Sequence, residues 1–224
     1  MADRFEEVTG KLALVAVKQV PMLGVIVEAV EALLPPNADE RLKAAIAEDM
    51  GDTLIKLQQK VEQLAARLES NGQKLDDLGP IRTVHVARDV AESTAQARSP
   101  EKREAVLNAA ARQFDPNLSA SARAHWLAVV RQLSDIEIAA IRVLHTEGAL
   151  WQQHDGTLAR VATQVEENAT PLDLERYPVD DQHALRVALR DLGQPYVYGE
   201  FGEGGVALTY AGEALARFTD AVAE

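Results

Sequence analysis

A run of apolar residues in the second quarter of the chain recurs at alternating intervals of four and three. Its members are Met50, Leu54, Leu57, Val61, Leu64 and Leu68. This spacing places all six side chains on one face of a helix, as in a heptad repeat. It predicts a helix that Asn37 caps, with Glu40 as the reciprocal capping partner, and that Asn71-Gly72 ends after Ser70.

Two arrangements of this apolar face are open from the sequence. It forms an interface between copies of the chain, or it packs against other helices of the same chain. We expect a homodimer or a larger homo-oligomer with the six residues at its interface. In the second arrangement a charge at Val61 would be buried without a partner and would threaten folding.

The rest of the first two thirds also has helical patterns. We predict helices over residues 3–33 with a break near Pro21, over 75–97, from Ser99-Pro100 to Asp115-Pro116, and from about 120 to 133. The inward residues are predicted to be Leu78, Ile81, Val84, Ala87 and Val90 or Ala91 in the helix over 75–97, and Ala122, Trp126, Val129 and Leu133 in the helix from about 120 to 133. Short connections favour antiparallel neighbours, so residues 1–125 are predicted to form a helical bundle.

The last third combines helices with a glycine-rich hairpin. Ser134 and Glu137 form a capping box that opens a helix to about Glu147, and Thr170-Pro171 is predicted to open another. A helix over 180–192, a hairpin of strands 195–199 and 205–209, and a helix over 210–222 follow. The predicted fold class is mainly α, with an N-terminal antiparallel helical bundle (1–125) followed by a small α+β domain (126–224).

The C-terminal segment resembles a winged helix-turn-helix domain. Leu189-x-x-x-Gly193 precedes the hairpin and Leu208-Thr209-x-x-Gly212 follows it, a pattern similar to that of bacterial regulators of the MarR and PadR type. The resemblance covers residues 126–224 and implies that the helix over 180–192 occupies the position of a recognition helix. The chain as a whole resembles bacterial helical proteins, a likeness that implies no particular function.

The charge of this segment opposes the DNA-binding function that the resemblance implies. The chain carries a net charge of −12, and residues 126–224 contain seven Arg, no Lys and sixteen Asp or Glu, which gives −9. Neutralisation of phosphates supplies most non-specific DNA affinity, so an acidic surface would repel a duplex. Under the alternative of a transcriptional regulator, Arg186 and Arg190 are the expected DNA contacts.

No residue pattern predicts catalysis or a cofactor. Cysteine is absent, which excludes thiol nucleophiles and Cys-ligated metals. Three groups of polar residues are interpreted as solvated surface or helix-end charges. They are His85 with Asp89, the group Asp180, Asp181 and His183, and the acidic group Glu48, Asp49 and Asp52. We therefore expect no enzymatic activity, no catalytic residue, no cofactor and no metal.

The function predicted from the sequence is a non-enzymatic interaction or assembly protein with an acidic winged-helix-like module. We expect a protein partner, whose identity the sequence does not give, and no nucleic-acid partner. One further alternative is a membrane-active effector that uses the apolar segment 12–34, but its longest uncharged stretch is too short for a spanning helix. The N-terminus MADRFEEV has no signal-peptide pattern, so we expect a cytoplasmic location.

Overall fold

The computed structural model describes residues 40–152, 158–161, 169–171, 182–199 and 205–220, and this part of the chain is mainly helical. Its α-helices are α1 (Glu40–Ser70), α2 (Gly79–Gln96), α3 (Pro100–Ala111), α4 (Ala120–Gln132), α5 (Asp135–Glu147), α6 (Gln182–Tyr196) and α7 (Tyr210–Thr219). Its strands are β1 (Leu150–Gln152), β2 (Leu158–Val161), β3 (Ala169–Pro171), β4 (Val197–Tyr198) and β5 (Ala207–Leu208), and a 3-10 turn covers Arg112–Phe114. The predicted fold class is confirmed as mainly helical with a small antiparallel sheet component.

Two compact units divide the described residues. The first contains the described residues up to Gln96 together with Val106–Leu127. The second contains Ala97–Ala105 and the described residues from Ala128 to Asp220. The division into domains 1–125 and 126–224 stays a prediction, as do the bundle and the winged helix.

Helix α1 ends where the sequence predicts. Gly72 follows with a φ of 70°, its N–H donates to the Glu69 carbonyl at 3.0 Å, and the Gln73 N–H donates to the Leu68 carbonyl at 2.8 Å. These two bonds form a Schellman motif, which satisfies carbonyls at the helix end. The predicted cap Asn37 and the predicted helix over 3–33 lie outside the described residues.

The apolar face of α1 lies inside the chain. Its five members with a described side chain are 0–3% exposed: Leu54, Leu57, Val61, Leu64 and Leu68. Helix α1 packs against α2 in the first unit. This burial favours the arrangement in which the face packs within its own chain, and the homo-oligomer stays a prediction.

The inward face of α2 agrees with the prediction at Ala87, Val90 and Ala91, which are buried, whereas the inward face of α4 differs from the predicted one. Helix α2 begins at Gly79 rather than at Leu75, and Ile81 is 76% exposed instead of inward. In α4 the buried positions are Arg123, Leu127 and Val130, whereas the predicted positions Ala122, Trp126, Val129 and Leu133 are only half-buried. Alanine-rich helices have little contrast between faces, and in α4 a buried arginine helps to set which face turns inward.

In the second unit the capping box of α5 is confirmed. The Glu137 N–H donates to Ser134 Oγ at 3.3 Å, and the Ser134 N–H donates to Glu137 Oε2 at 2.6 Å. Helix α5 packs against α6 and α7. The core of this unit is built from the fully buried side chains Ile138, Ile141, Leu144, Leu150, Leu158, Leu185, Leu189 and Leu215.

Two small antiparallel sheets accompany these helices. The predicted hairpin is confirmed, with Val197 paired to Leu208 in β4–β5. The second sheet has the order β1-β2-β3 and was not predicted. The prediction that Thr170-Pro171 opens a helix is wrong, because both residues lie in strand β3. Proline is tolerated there because β3 is the edge strand of this sheet.

Backbone bonds hold the hairpin between β1 and α7. Leu150 and Val206 exchange N–H···O bonds of 2.9 and 2.8 Å. Thr209 caps α7 by accepting the Gly212 N–H at 3.1 Å, and the Thr209 N–H donates to the Tyr196 carbonyl at 2.9 Å. A Cβ at Gly212 would lie 2.1 Å from the Tyr196 oxygen, so the Thr-x-x-Gly spacing allows α7 to pack this closely on the chain before β4.

Candidate functional site

A cavity of about 900 Å³ opens between α6 and strand β4 in the second unit. Its lining combines apolar side chains with polar ones. The residues that matter most here are His183, Arg186, Val187, Arg190, Val197 and Tyr198. A concave site with apolar walls and a few convergent polar groups is the usual form of a binding pocket.

The sequence of α6 explains how these side chains converge. His183, Arg186 and Arg190 are spaced by three and four residues and therefore share one face of the helix. Leu185, Ala188, Leu189 and Leu192 are buried on the core side. At Gly193 the φ of 42° and ψ of −155° end the regular helix, a conformation that glycine adopts without steric cost. The chain then turns into β4, which brings Tyr198 to the cavity.

The cavity has a cationic lining. Among the described residues that line it there is no Asp or Glu. Arg186 is half-buried, and its Nε is buried with no hydrogen-bond partner in the described part of the chain. Arg190 is exposed, with Nε at 3.6 Å from Asp191 Oδ1, which is beyond a hydrogen bond. An anionic oxygen placed in this cavity would therefore lie beside two arginine side chains.

The structure brings together the two arginines that the sequence predicts as DNA contacts under the regulator alternative. His183 joins them at the rim, whereas Asp180 and Asp181 lie outside the described residues. The sequence did not indicate Val197 and Tyr198 as site residues, because the turn at Gly193 is what places them beside α6. His85, Asp49 and Asp52 are exposed, and no group of three or more metal-ligating side chains occurs within the described ranges.

A second polar cluster joins α5 to α7. His145 Nδ1 lies 2.9 Å from Glu213 Oε2, and its Nε2 lies 3.4 Å from Asp220 Oδ2. Each of these side chains is about one-third exposed. These contacts link α5 to Glu213 of α7 and to Asp220 directly after it.

A buried lysine caps the end of α4. Lys102 is 4% exposed, and its Nζ donates to the carbonyls of Val130 and Leu133, with the Arg131 carbonyl at 3.4 Å. These are the carbonyls that a helix C-terminus leaves unsatisfied. Burial lowers the pKa of Lys102 to about 8, although the carboxylates of Asp135 and Glu137 act in the opposite direction.

This lysine makes stability depend on pH. Its folded-state pKa of about 8 lies below the ordinary value of 10.5, so the unfolded chain binds more protons between these two pH values. Stability therefore rises with pH in that window. We expect wild type to gain about 1–2 kcal/mol relative to Lys102→Met between about pH 8 and pH 10 in urea unfolding. Parallel pH curves for the two proteins would contradict this.

No helix in the described part of the chain has the length and apolarity needed to cross a membrane. The apolar segment 12–34 of the membrane-effector alternative lies outside the described residues.

No protein-family model, no curated protein and no solved structure matches the chain.

Proposed function

We propose that this chain is a non-enzymatic interaction protein whose C-terminal unit is a winged-helix-like module adapted to bind a protein. The order α5, β1, α6, β4, β5 and α7 supports the likeness, and the Leu150–Val206 bridge joins the strand before α6 to the hairpin. One departure is clear: strands β2 and β3 lie between β1 and α6, where the winged-helix pattern has a helix. The function therefore rests on the site and not on the fold likeness.

The observation that carries the proposal is the face formed by α6 and β4. Tyr198 is 54% exposed there, beside the cavity and the two arginines. Tyrosine and arginine are the side chains, together with tryptophan, that most often dominate the energy of protein interfaces. The segment that carries this face has a net charge of −9, which favours a protein partner over a polyanionic duplex.

A transcriptional regulator is the second candidate. Arg186 and Arg190 share the outer face of the helix that precedes the hairpin, which is where a recognition helix contacts DNA. Arg190 is 77% exposed and free to reach a phosphate, apart from its long contact with Asp191. Fluorescence anisotropy with a labelled duplex tests this candidate, because a regulator should bind the duplex and Arg186→Met should weaken that binding.

Site-specific photo-crosslinking tests the interaction function. We expect p-benzoylphenylalanine at position 198 to trap one protein in living cells, because this position lies on the proposed contact face. The same group at Tyr210, which is 92% exposed in the same unit, is the matched control and should not trap it. The trapped protein is then purified and must bind the full chain in isothermal titration calorimetry.

Two results would count against the interaction function. One is equal trapping from positions 198 and 210, which would indicate random collision. The other is a purified candidate that shows no heat of binding to the full chain.

A further inference from the structure

We infer that the cavity between α6 and β4 receives an acidic peptide segment of the partner, with a carboxylate against Arg186 and apolar side chains against Val187 and Val197. The inference rests on the proposed interaction function and adds the chemistry of the partner. Three observations carry it: an unpaired buried donor, a cationic lining and an open shape.

The unpaired donor is Arg186 Nε. It is buried, yet no oxygen of the described chain accepts its proton. A buried donor without an acceptor is costly, and a guanidinium pairs best with the two oxygens of a carboxylate. Arg186 also lines the cavity, so a carboxylate that enters it can pair with this guanidinium.

The other polar residues of the cavity lining extend the preference for carboxylate groups along α6. His183 and Arg190 lie one turn before and one turn after Arg186 on the same face, and the described lining contains no acidic side chain. A segment with two or three carboxylates could therefore contact successive turns of α6. The contact of Arg190 with Asp191 does not block this, because both side chains are more than half exposed and such pairs are weak.

The open shape favours a peptide over a small enclosed ligand. Small-molecule sites usually bury most of the ligand. Here His183, Arg190 and Tyr198 are all exposed, with Tyr198 at 54%, so they form a rim across which an extended segment can lie. Such a segment can also place apolar residues on Val187 and Val197 between its acidic ones.

The net charge of residues 126–224 opposes binding of a DNA duplex more strongly than binding of a short acidic peptide. Repulsion by a net charge of −9 acts on every phosphate of DNA, which carries one charge per ~1.7 Å of its length. A peptide with a few carboxylates feels mainly the charges within about 8 Å at physiological salt. The charged side chains that line the described part of the cavity are Arg186 and Arg190, and the Asp191 carboxylate lies 3.6 Å from Arg190 Nε.

Fluorescence anisotropy with the full chain tests the inference. The probe is the fluorescein-labelled peptide Leu-Glu-Val-Glu-Leu-Glu, compared with the isosteric peptide in which every Glu is Gln. We expect the acidic peptide to bind at least about tenfold more tightly, because only it pairs with the arginines. Arg186→Met and Arg190→Met should each weaken binding about fivefold or more, and Arg217→Met, an exposed arginine of α7, should leave it within about twofold.

Four results would overturn the inference. They are acidic-peptide binding weaker than about 1 mM, equal binding of the Gln peptide, an equal loss in Arg217→Met, and tighter binding of a duplex that Arg186→Met abolishes. The last result would assign the face to DNA. If Arg186→Met does not fold, Arg190→Met decides, because its side chain is 77% exposed. If the acidic peptide does not bind but position 198 still traps one protein specifically, the interaction function is retained and the partner is recognised by a different chemistry.

Discussion

Val61→Glu is expected to lower the free energy of unfolding by about 4 kcal/mol or more, a large fraction of the 5–15 kcal/mol typical of a folded protein. Val61 is 1% exposed within the apolar face of α1, so a glutamate there would be buried without a partner. The melting temperature should fall by roughly 10 °C or more for a chain of this size. Urea unfolding and circular dichroism measure both quantities.

Ile55→Glu is the matched control for this substitution. Ile55 lies in the same helix and is 40% exposed, so a charge there stays in contact with water and should change stability little. Light scattering on both variants and on wild type tests the expected homo-oligomer at the same time. A Val61→Glu protein that remains fully stable but loses a subunit would place the apolar face of α1 at an interface between copies.

The features that the sequence predicts well are those set by local chemistry. The period of Leu54, Leu57, Val61 and Leu64 fixes which face of α1 is buried, whatever covers it. The capping box at Ser134 and Glu137 satisfies backbone groups within one turn of helix, so it needs no tertiary information. The strands on both sides of the glycine-rich loop follow from the same kind of short-range signal.

The sequence does not indicate which polar side chains are buried. A lysine such as Lys102 and an arginine such as Arg123 are expected at the surface from composition, yet both are 4% exposed because each caps carbonyls. In α4 the buried Arg123 lies on a face that apolar periodicity does not indicate. Strands β1, β2 and β3 have three or four residues each, too few for an alternating pattern to stand out.

Only part of the candidate site could be predicted from the sequence, because the rest depends on contacts between segments that are not neighbours in the chain. Arg186 and Arg190 share a helix face by spacing alone, and the sequence identifies them together. The cavity itself depends on the turn at Gly193 and on the register of β4 with β5, which bring Tyr198 back beside α6. Contacts between segments that are distant in the sequence cannot be predicted from local patterns and are seen only in the folded structure.

Arg123→Met is expected to lower the free energy of unfolding by about 2–4 kcal/mol. The Arg123 side chain is 5% exposed, its Nη1 donates to the Asp115 carbonyl at 3.0 Å, and its Nη2 donates to Asp76 Oδ2 at 2.5 Å. These bonds tie the segment before α2 to the turn before α4. The Asp76 carboxylate is 43% exposed and can regain water, which keeps the loss below that of a fully buried pair.

A double-mutant cycle separates the ion pair from the bond to the carbonyl. Asp76→Asn keeps an acceptor for Arg123 and should cost less than Arg123→Met, because the Asp115 carbonyl keeps its donor. Arg88→Met is the control for a surface pair, since the side chain of Arg88 is 58% exposed where it contacts Glu92, and its melting temperature should stay at the wild-type value. Equal melting temperatures for Arg123→Met and Arg88→Met would show that the carbonyls and carboxylate around Arg123 find other donors. In that case the packing of α4 would bury Arg123, and the hydrogen bonds of Arg123 would not determine how α4 packs.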